Sequence, residues 1–281
     1  MRNLGYYNGE IGLIEDMKVP MTDRGLYFGD GIYDAAYTRN HIIYALDEHI
    51  TRFYKNLARL EIAEPMPREA LSALLTELVR RVDSDEQFVY WQATRASALR
   101  DHSFPEGNPP SNLMIMLRHM PIKPVYQPIR LVSAEDKRYL FCDMKTLNLL
   151  PSVLTAEMAV KAGVDETVLH RGDRVTECSH SNVSILKDGV FITPPADEYI
   201  LPGVGRAHLI AASKTLGIPV EERIFTMDEL RDADEIIVSS AGSLCLSARE
   251  LDGQPVGGKD PDTLCKLQDF VVADWLEKTE G

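Results

Sequence analysis

The chain has 281 residues, of which 44% are hydrophobic and 26% charged, with a formal net charge of -13. This size fits one large domain or two ordinary ones with a full core. The acidic surface argues against nucleic acids and anionic membranes as partners, because both would repel it. No stretch approaches the roughly 20 apolar residues of a membrane helix, and the opening residues MRNLGYYNGE lack the apolar run of a signal peptide. The cysteines match no zinc-site spacing and are predicted to be free thiols in a reducing cytoplasm; they are Cys142, Cys178, Cys245 and Cys265.

The first half of the chain begins with two predicted strand pairs. Residues 4–7 and 11–14 flank Asn8-Gly9, the dipeptide preferred in a two-residue type I′ hairpin turn. A second pair is predicted at 32–38 and 42–46. Mixed with the helices that follow, these strands indicate an α+β arrangement.

Two helices and two further strands complete this half. The first helix is predicted to begin with Asp47 as its N-cap, and its apolar residues fall on one stripe. The second follows Pro67, and strands are predicted at 88–96 and 113–117.

A stretch with three prolines, 121–128, is predicted to be an extended linker. It would separate an N-terminal domain, 1–120, from a C-terminal domain, 129–281. The elements predicted for the second domain are a strand at 129–133, a helix at 152–161 closed by Gly163, strands over 166–193 with a turn at Asp188-Gly189, a helix between Pro202 and Leu216, strands at 236–239 and 245–250, and a helix at 261–278.

One lysine stands out for its surroundings. Lys145 lies in the sequence DMKTLNLLPS, near Leu147, Leu149 and Leu150. An apolar setting favours the neutral amine, which is the form that attacks an aldehyde. The alternative is a surface lysine whose stem passes along a leucine cluster, and the local pattern alone leaves both open.

Four stretches together resemble the fold type IV pyridoxal-phosphate enzymes, the class IV aminotransferases. They are DRGLYFGDGIYDA, HITRFYKN, DMKTLNLL, and VTECSHSNV followed by LPGVGR. The resemblance spans nearly the whole chain in the expected order. It implies a smaller N-terminal α/β domain and a larger C-terminal pseudo-barrel domain that carries the cofactor lysine.

The resemblance implies a role for each matched residue. Lys145 would hold pyridoxal phosphate as a Schiff base, the internal aldimine, and would then move a proton between substrate and cofactor in a ping-pong transamination. Glu177 would pair with the pyridine nitrogen, which keeps the ring protonated. Arg52 would bind the phosphate, whose oxygens suit a planar guanidinium.

The remaining cofactor positions belong to two loops. Glycines before a helix suit a phosphate, since backbone N–H groups point at it. The residues implied here are Leu201, Val204, Gly205, Ser240 and Ala241. The loop sequences GVGR and SSAGS contain fewer hydroxyls than the threonine-bearing loops common in the family, and Cys178 and His180 also depart from its usual residues.

The substrate is indicated by the stretch VYWQATRASALRDHSFP. Arg100 and His102 could form an exposed charged loop or a carboxylate trap. The segment resembles that of D-amino acid aminotransferases, in which an arginine and a histidine of the neighbouring subunit, with a tyrosine matching Tyr33, hold the α-carboxylate. The resemblance therefore implies a homodimer with a shared site, and exchange between D-amino acids such as D-alanine or D-glutamate and 2-oxoglutarate or pyruvate.

Other functions stay open at this point. Within the family, the alternatives are a branched-chain L-amino acid aminotransferase, an R-selective amine transaminase and aminodeoxychorismate lyase. From another class, Cys178 and His180 could form a thiol nucleophile with its base, although alternate strand residues point to opposite faces. A non-catalytic interaction protein would also suit the acidic surface.

Overall fold

The computed structural model describes residues 1–281, which form two compact units. The first comprises Met1–Ile122, Met144–Asn148 and Glu277–Gly281, and the second comprises Lys123–Asp143 and Leu149–Leu276. This grouping differs from the predicted division at 129–281, because the segment with Lys145 bonds to a strand of the first unit. None of the helices is both long and apolar enough to cross a membrane.

The first unit is built on one antiparallel sheet. Its strands run in the order β2-β1-β6-β5-β3-β4. Its elements are β1 (Asn3–Tyr7), β2 (Glu10–Gly12), a 3-10 turn (Ile14–Asp16), α1 (Arg24–Phe28), β3 (Gly31–Arg39), β4 (Ile42–Ile43), α2 (Leu46–Arg59), α3 (Arg68–Val79), β5 (Gln87–Thr94) and β6 (Asn112–His119).

The predicted hairpin at the start of the chain is confirmed. Asn8 and Gly9 both have positive φ, 48° and 100°, as a type I′ turn requires. The prediction for 42–46 is wrong, because β4 ends at Ile43 and Ala45 adopts a left-handed conformation (φ 52°) that starts α2. Asp47 is therefore inside the helix rather than at its N-cap, and no side chain caps this end.

The core of the first unit lies between the sheet and the helices α2 and α3. Side chains of β3 alternate between a buried face and a half-buried face, as the period of a strand dictates. Leu71, Leu75 and Leu78 of α3 are fully buried, each contributing about 1.5–3 kcal/mol. Trp91 and Phe53 pack edge to face in the same cluster.

The second unit contains a nine-stranded mixed sheet. The strand order is β12-β11-β10-β13-β14-β7-β8-β9, with β15 beside β14. The elements are β7 (Ile129–Glu135), α4 (Leu150–Ala162), β8 (Glu166–Arg171), β9 (Arg174–Cys178), β10 (Asn182–Lys187), β11 (Val190–Thr193), α5 (Val204–Thr215), β12 (Val220–Glu222), α6 (Met227–Asp232), β13 (Glu235–Ser239), β14 (Leu246–Leu251), β15 (Gln254–Pro255) and α7 (Pro261–Lys278). The edge strand β9 also contacts β10, so the sheet curls into the expected partly closed barrel.

Candidate active site

The segment that carries Lys145 is held to β3 by backbone contacts. The Tyr33 amide donates to the Lys145 carbonyl at 2.9 Å, and the Leu147 amide donates to the Gly31 carbonyl at 3.1 Å. A Cβ on Gly31 would lie 2.5 Å from the Ala93 carbonyl oxygen and 2.8 Å from Cδ1 of Leu147. Only glycine permits this close approach, and Lys145 is therefore fixed beside β3 although it is distant in sequence.

The amine of Lys145 lies against Tyr33. Its Nζ donates to the Tyr33 hydroxyl at 3.2 Å and lies 4.2 Å from the ring centroid. Of the leucines near it in sequence, Leu147 packs on Gly31, and Leu150 is 69% exposed. The neighbour of the amine is a phenol, which can exchange a proton with it.

Arg52 is held by a buried carboxylate, Asp34. Its Nε donates to Asp34 Oδ2 at 2.9 Å and its Nη2 to Oδ1 at 2.7 Å, while His49 Nδ1 lies 2.8 Å from the same Oδ1. The Arg52 side chain is only 11% exposed. This two-point contact fixes the plane of the guanidinium.

The electrostatics of this group favour full ionisation. Burial opposes the charge on Asp34, but Arg52 and His49 more than offset it and hold the pKa of Asp34 well below its usual value. Burial likewise opposes the charge on Arg52, whose pKa is nevertheless raised by Asp34 and, more weakly, by Tyr33. Lys145, Tyr33 and Arg52 thus form one neighbourhood of the first unit.

Arg100 and His102 lie in the exposed loop between β5 and β6. The Phe28 ring contacts both: Arg100 Cζ lies 5.0 Å from its centroid, and the His102 ring centroid also lies 5.0 Å away. Neither residue makes a hydrogen bond or ring contact with Lys145 or Tyr33. In the first unit, both residues therefore lie against one ring, Phe28.

In the second unit, Glu177 is anchored through both of its oxygens. Oε1 accepts from Arg138, while Oε2 accepts from Asn182 Nδ2 at 2.8 Å and from the Leu201 amide at 3.0 Å. The side chain is buried. A carboxylate with a cation and two donors around it stays ionised, and can pair with a protonated ring nitrogen.

Sequence reasoning missed Arg138, which orients Glu177. Its Nε and Nη2 also bond the buried Asp136, at 3.0 and 2.9 Å. Burial lowers the pKa of Arg138, but Glu177 and Asp136 outweigh it, so the pKa is raised. Nothing local in the sequence EDKR marks this arginine, because its partner Glu177 is remote along the chain.

The N-terminus of α5 lies close to the loop after β13. Gly203 is the N-cap and Val204 the first helical residue. A Cβ on Gly205 would lie 3.0 Å from the Ser240 carbonyl oxygen, and one on Gly203 would overlap Oδ1 of Asn182. The N–H groups at the start of a helix have no partners within the helix and suit an anion.

Some hydroxyls of the loop after β13 already make hydrogen bonds within the protein. Ser240 Oγ bonds Ser243 Oγ at 3.0 Å, and Ala241 has no polar side chain. Ser239 Oγ is buried with no hydrogen-bond partner. Within the second unit, the structure thus brings together Glu177 with Leu201, and Gly205 with Ser240.

The thiol alternative is not supported by the geometry. Cys178 is buried, and burial followed by the nearby Glu166 raises its pKa well above the usual value. His180 is 57% exposed and its Nδ1 lies 3.0 Å from Glu166 Oε2. A buried, protonated thiol is a poor nucleophile.

Comparison with known proteins gives a consistent family. Residues 31–251 match the model of the family described as amino-transferase class IV. A D-alanine aminotransferase of Listeria monocytogenes serotype 4b is 38% identical over 268 residues, covering 94% of this chain and 93% of that protein. A D-alanine aminotransferase of Staphylococcus aureus (strain MSSA476) is also 38% identical, over 89% of this chain and 90% of that protein.

Solved structures share the fold. The branched-chain amino acid aminotransferase of Escherichia coli superimposes with a TM-score of 0.89 at 21% identity, covering all of this chain and 96% of that one. The branched-chain aminotransferase of the thermophilic archaeon Thermoproteus uzoniensis, solved with norvaline, gives a TM-score of 0.89 at 22% identity, covering 99% and 96%. At these identities the likeness establishes the fold type IV architecture.

Proposed function

The chain belongs to the class IV aminotransferases and is a pyridoxal-phosphate-dependent aminotransferase, and on that premise we propose that it transfers the amino group of a D-amino acid to a 2-oxo acid. D-alanine and D-glutamate are the proposed donors, with 2-oxoglutarate or pyruvate as acceptor. The observation that supports this proposal is that Arg100 and His102 both contact the Phe28 ring. Two nitrogen donors that lie against one ring suit an α-carboxylate.

The residues present fit the cofactor. An amine beside a phenol, an oriented guanidinium, an anchored carboxylate and a helix start with glycines are the donor set that an aldehyde, a phosphate and a ring nitrogen require. Bound pyridoxal phosphate supplies an electron sink that stabilises charge at the substrate Cα.

We assign Lys145 to carrying the cofactor and to moving the α-proton. Its Nζ contacts the Tyr33 hydroxyl, so the phenol can orient the amine and share the proton it removes. Tyr33 is also proposed to contact the substrate carboxylate. A single lysine serves one face of the substrate, and the side on which the carboxylate is held therefore selects the D or the L enantiomer.

We assign Arg52 to the cofactor phosphate. Asp34 fixes its guanidinium plane, so the side chain loses little entropy on binding. Val204, Gly205, Ser240 and Ala241 are proposed to add backbone and hydroxyl contacts to the same phosphate. Since these loops offer few hydroxyls, Arg52 and the backbone should carry most of the affinity.

We assign Glu177 to the pyridine nitrogen, with Leu201 nearby. The Glu177 carboxylate accepts from Arg138, Asn182 and the Leu201 amide. These donors fix its orientation and keep it charged, so a proton on the ring nitrogen is stabilised.

We further propose a homodimer in which Arg100 and His102 serve the partner's site. Both side chains are exposed and contact neither Lys145 nor Tyr33. The second unit also exposes a set of large apolar side chains, as surfaces buried by association do; they are Tyr139, Leu140, Phe141, Leu150, Val153 and Leu154.

Mixing the weakly binding Arg100→Ala variant with the inactive Lys145→Ala variant, assayed at D-alanine concentrations far below KM, tests the shared site. If the trap comes from the partner, a dimer of Arg100→Ala with Lys145→Ala contains one site with both wild-type residues. Statistical mixing should then restore about a quarter of the wild-type rate in a twofold dimer. If the mixture stays inactive although sedimentation shows dimers, Arg100 and His102 would serve the site of their own subunit.

We also propose the cytoplasm as the location. All four cysteines are free thiols, which is typical of reducing compartments. Fractionation with a thiol-labelling reagent would test this directly.

A donor panel tests the substrate assignment. Cofactor-loaded enzyme is assayed with 2-oxoglutarate and D-alanine, D-glutamate, L-leucine or (R)-1-phenylethylamine. The proposal predicts turnover with the D-amino acids, and an Arg100→Ala variant with raised KM for them. Preference for L-leucine would favour a branched-chain L-amino acid aminotransferase. Preference for the amine, or lyase activity on aminodeoxychorismate, would assign the chain to those members of the family.

A further inference from the structure

We propose that Phe28 is a specificity-positioning residue whose aromatic ring sets the geometry of Arg100 and His102 and thereby the affinity for the substrate carboxylate. This inference rests on the proposed function, in which that pair forms the carboxylate trap. It extends that function to Phe28 of helix α1, which acts through its contacts with Arg100 and His102.

Besides its neighbour Tyr27, three side chains contact the ring of Phe28. Arg100 Cζ lies 5.0 Å from its centroid, Arg24 Cζ lies 4.8 Å away, and the His102 ring lies at 5.0 Å with a tilt of 51°. No hydrogen bond of the chain holds the guanidinium of Arg100 or the ring of His102. Contact with Phe28 is therefore what sets their positions.

Phe28 itself lies on a fixed element. Oδ1 of Asp23 caps the start of α1 by accepting from the Gly25 amide at 2.8 Å. Gly29 ends the helix in a left-handed conformation at φ 61°, where a glycine costs least. Because this five-residue helix is capped at both ends, its backbone holds the Phe28 ring in a fixed position.

The same helix holds the backbone of the loop that carries the pair. Arg24 Nε bonds Asp30 at 2.7 Å, and its Nη1 donates to the Asp101 carbonyl at 2.7 Å. The Tyr27 hydroxyl donates to the Ala98 carbonyl. Asp101 lies between Arg100 and His102 in the sequence. Residues of α1 therefore contact both the backbone of this loop and the two side chains.

The aromatic character of position 28 matters more than its volume. A guanidinium within about 6 Å of a ring centroid is attracted by the ring quadrupole. Asp30 pairs with both Arg24 and Arg95, so it offsets only part of the charge of Arg24, and the attraction of the ring has to outweigh the remaining repulsion between Arg24 and Arg100. A leucine would fill similar space without attracting the cations, and each would then lose more freedom when a carboxylate binds.

The test compares Phe28→Leu, Phe28→Tyr and a graded series of ring fluorinations at Phe28. Fluorination weakens the quadrupole with little change in shape, so these variants should fold even where leucine does not. Three quantities are measured: KM and kcat for D-alanine, and, by calorimetry, the Kd of propionate, an unreactive carboxylate. Leu26→Ala, in the same helix and at a side chain that is 63% exposed, is the matched control.

Phe28→Leu should raise both KM and the propionate Kd about threefold to tenfold, with kcat within about twofold of wild type. Phe28→Tyr should restore both constants, fluorination should raise them stepwise, and Leu26→Ala should change neither. Unchanged constants in Phe28→Leu and the fluorinated series, while Arg100→Ala raises both, would overturn the role of Phe28 alone. Unchanged constants in Arg100→Ala would instead overturn the proposed carboxylate trap.

Discussion

Arg52 donates two hydrogen bonds to the fully buried carboxylate of Asp34, at 2.9 and 2.7 Å. The contact joins helix α2 to strand β3, and it fixes the orientation of the guanidinium assigned to the cofactor phosphate. We therefore expect this contact to affect both the affinity for the cofactor and the free energy of unfolding.

Asp34→Asn should weaken the affinity for pyridoxal phosphate on the order of tenfold, the cost of one misplaced charge-assisted hydrogen bond. Asparagine keeps the size of the side chain but can accept through only one oxygen, so the plane of Arg52 is no longer fixed. The measurement is fluorescence titration of the cofactor-free protein. Pyridoxal, which lacks the phosphate, is the control, and an equal loss for both ligands would contradict a role through the phosphate.

The same pair makes stability depend on pH. The pKa of folded Asp34 lies below the value of about 3.9 for an unfolded aspartate. The ionised pair therefore stabilises the folded state above that pH, and the contribution is lost as pH falls through the folded-state pKa. Wild type should lose stability between about pH 5 and pH 2, and Asp34→Asn should lose less over this range.

At pH 7, Asp34→Asn should cost about 3–5 kcal/mol of unfolding free energy, because it leaves a buried cation without its counter-charge. Urea unfolding of the cofactor-free protein at several pH values measures both the free energy of unfolding at pH 7 and its dependence on pH. Parallel pH profiles of the variant and wild type would contradict the assignment.

Glu177→Gln should lower kcat at least about a hundredfold, the effect of removing one preorganised electrostatic partner. The amide cannot hold a proton on the pyridine nitrogen, and it sets an N–H group against Arg138. Arg138→Lys keeps the charge and should lose less activity. The pH dependence of the cofactor absorbance should change in Glu177→Gln, and a wild-type titration curve with wild-type kcat would rule out the pairing.

Gly205→Ala should weaken pyridoxal phosphate binding about tenfold, since overpacking of this kind costs about 1–3 kcal/mol. The new Cβ would lie 3.0 Å from the Ser240 carbonyl oxygen and would separate the two loops. Ala207→Gly, at an exposed position of α5, is a control for general helix destabilisation. Wild-type cofactor affinity in Gly205→Ala would mean that the loops do not hold the phosphate.

The longer helices could be predicted from the sequence, and the shortest helices could not. The apolar stripe of α2 and the glycine that ends α4 have direct physical causes. Helix α1 has five residues and α6 has six, too few for a helical period to show. The sequence pattern places the N-cap of α2 two residues late, because the left-handed Ala45 leaves no mark in the sequence.

For the candidate site, the residues with family motifs could be predicted, whereas those that orient them could not. Lys145, Glu177 and Arg52 stand in recognisable stretches, and their roles stay predictions. Arg138 acts on a residue remote in sequence, so no local pattern reveals it. Asp34 was open to inference, because it shares the buried face of β3 with Ile32 and Ala36 and a buried carboxylate requires a partner.

A single turnover of the cofactor-loaded enzyme with D-alanine and no acceptor tests most directly whether Lys145 serves the transamination of D-amino acids. We expect pyruvate in an amount equal to the active sites, with loss of the visible absorption of the lysine-bound cofactor. L-leucine should give no keto acid on this timescale, and Lys145→Ala should give no pyruvate from D-alanine. Stoichiometric keto acid from L-leucine and none from D-alanine, or full turnover by Lys145→Ala, would contradict this expectation.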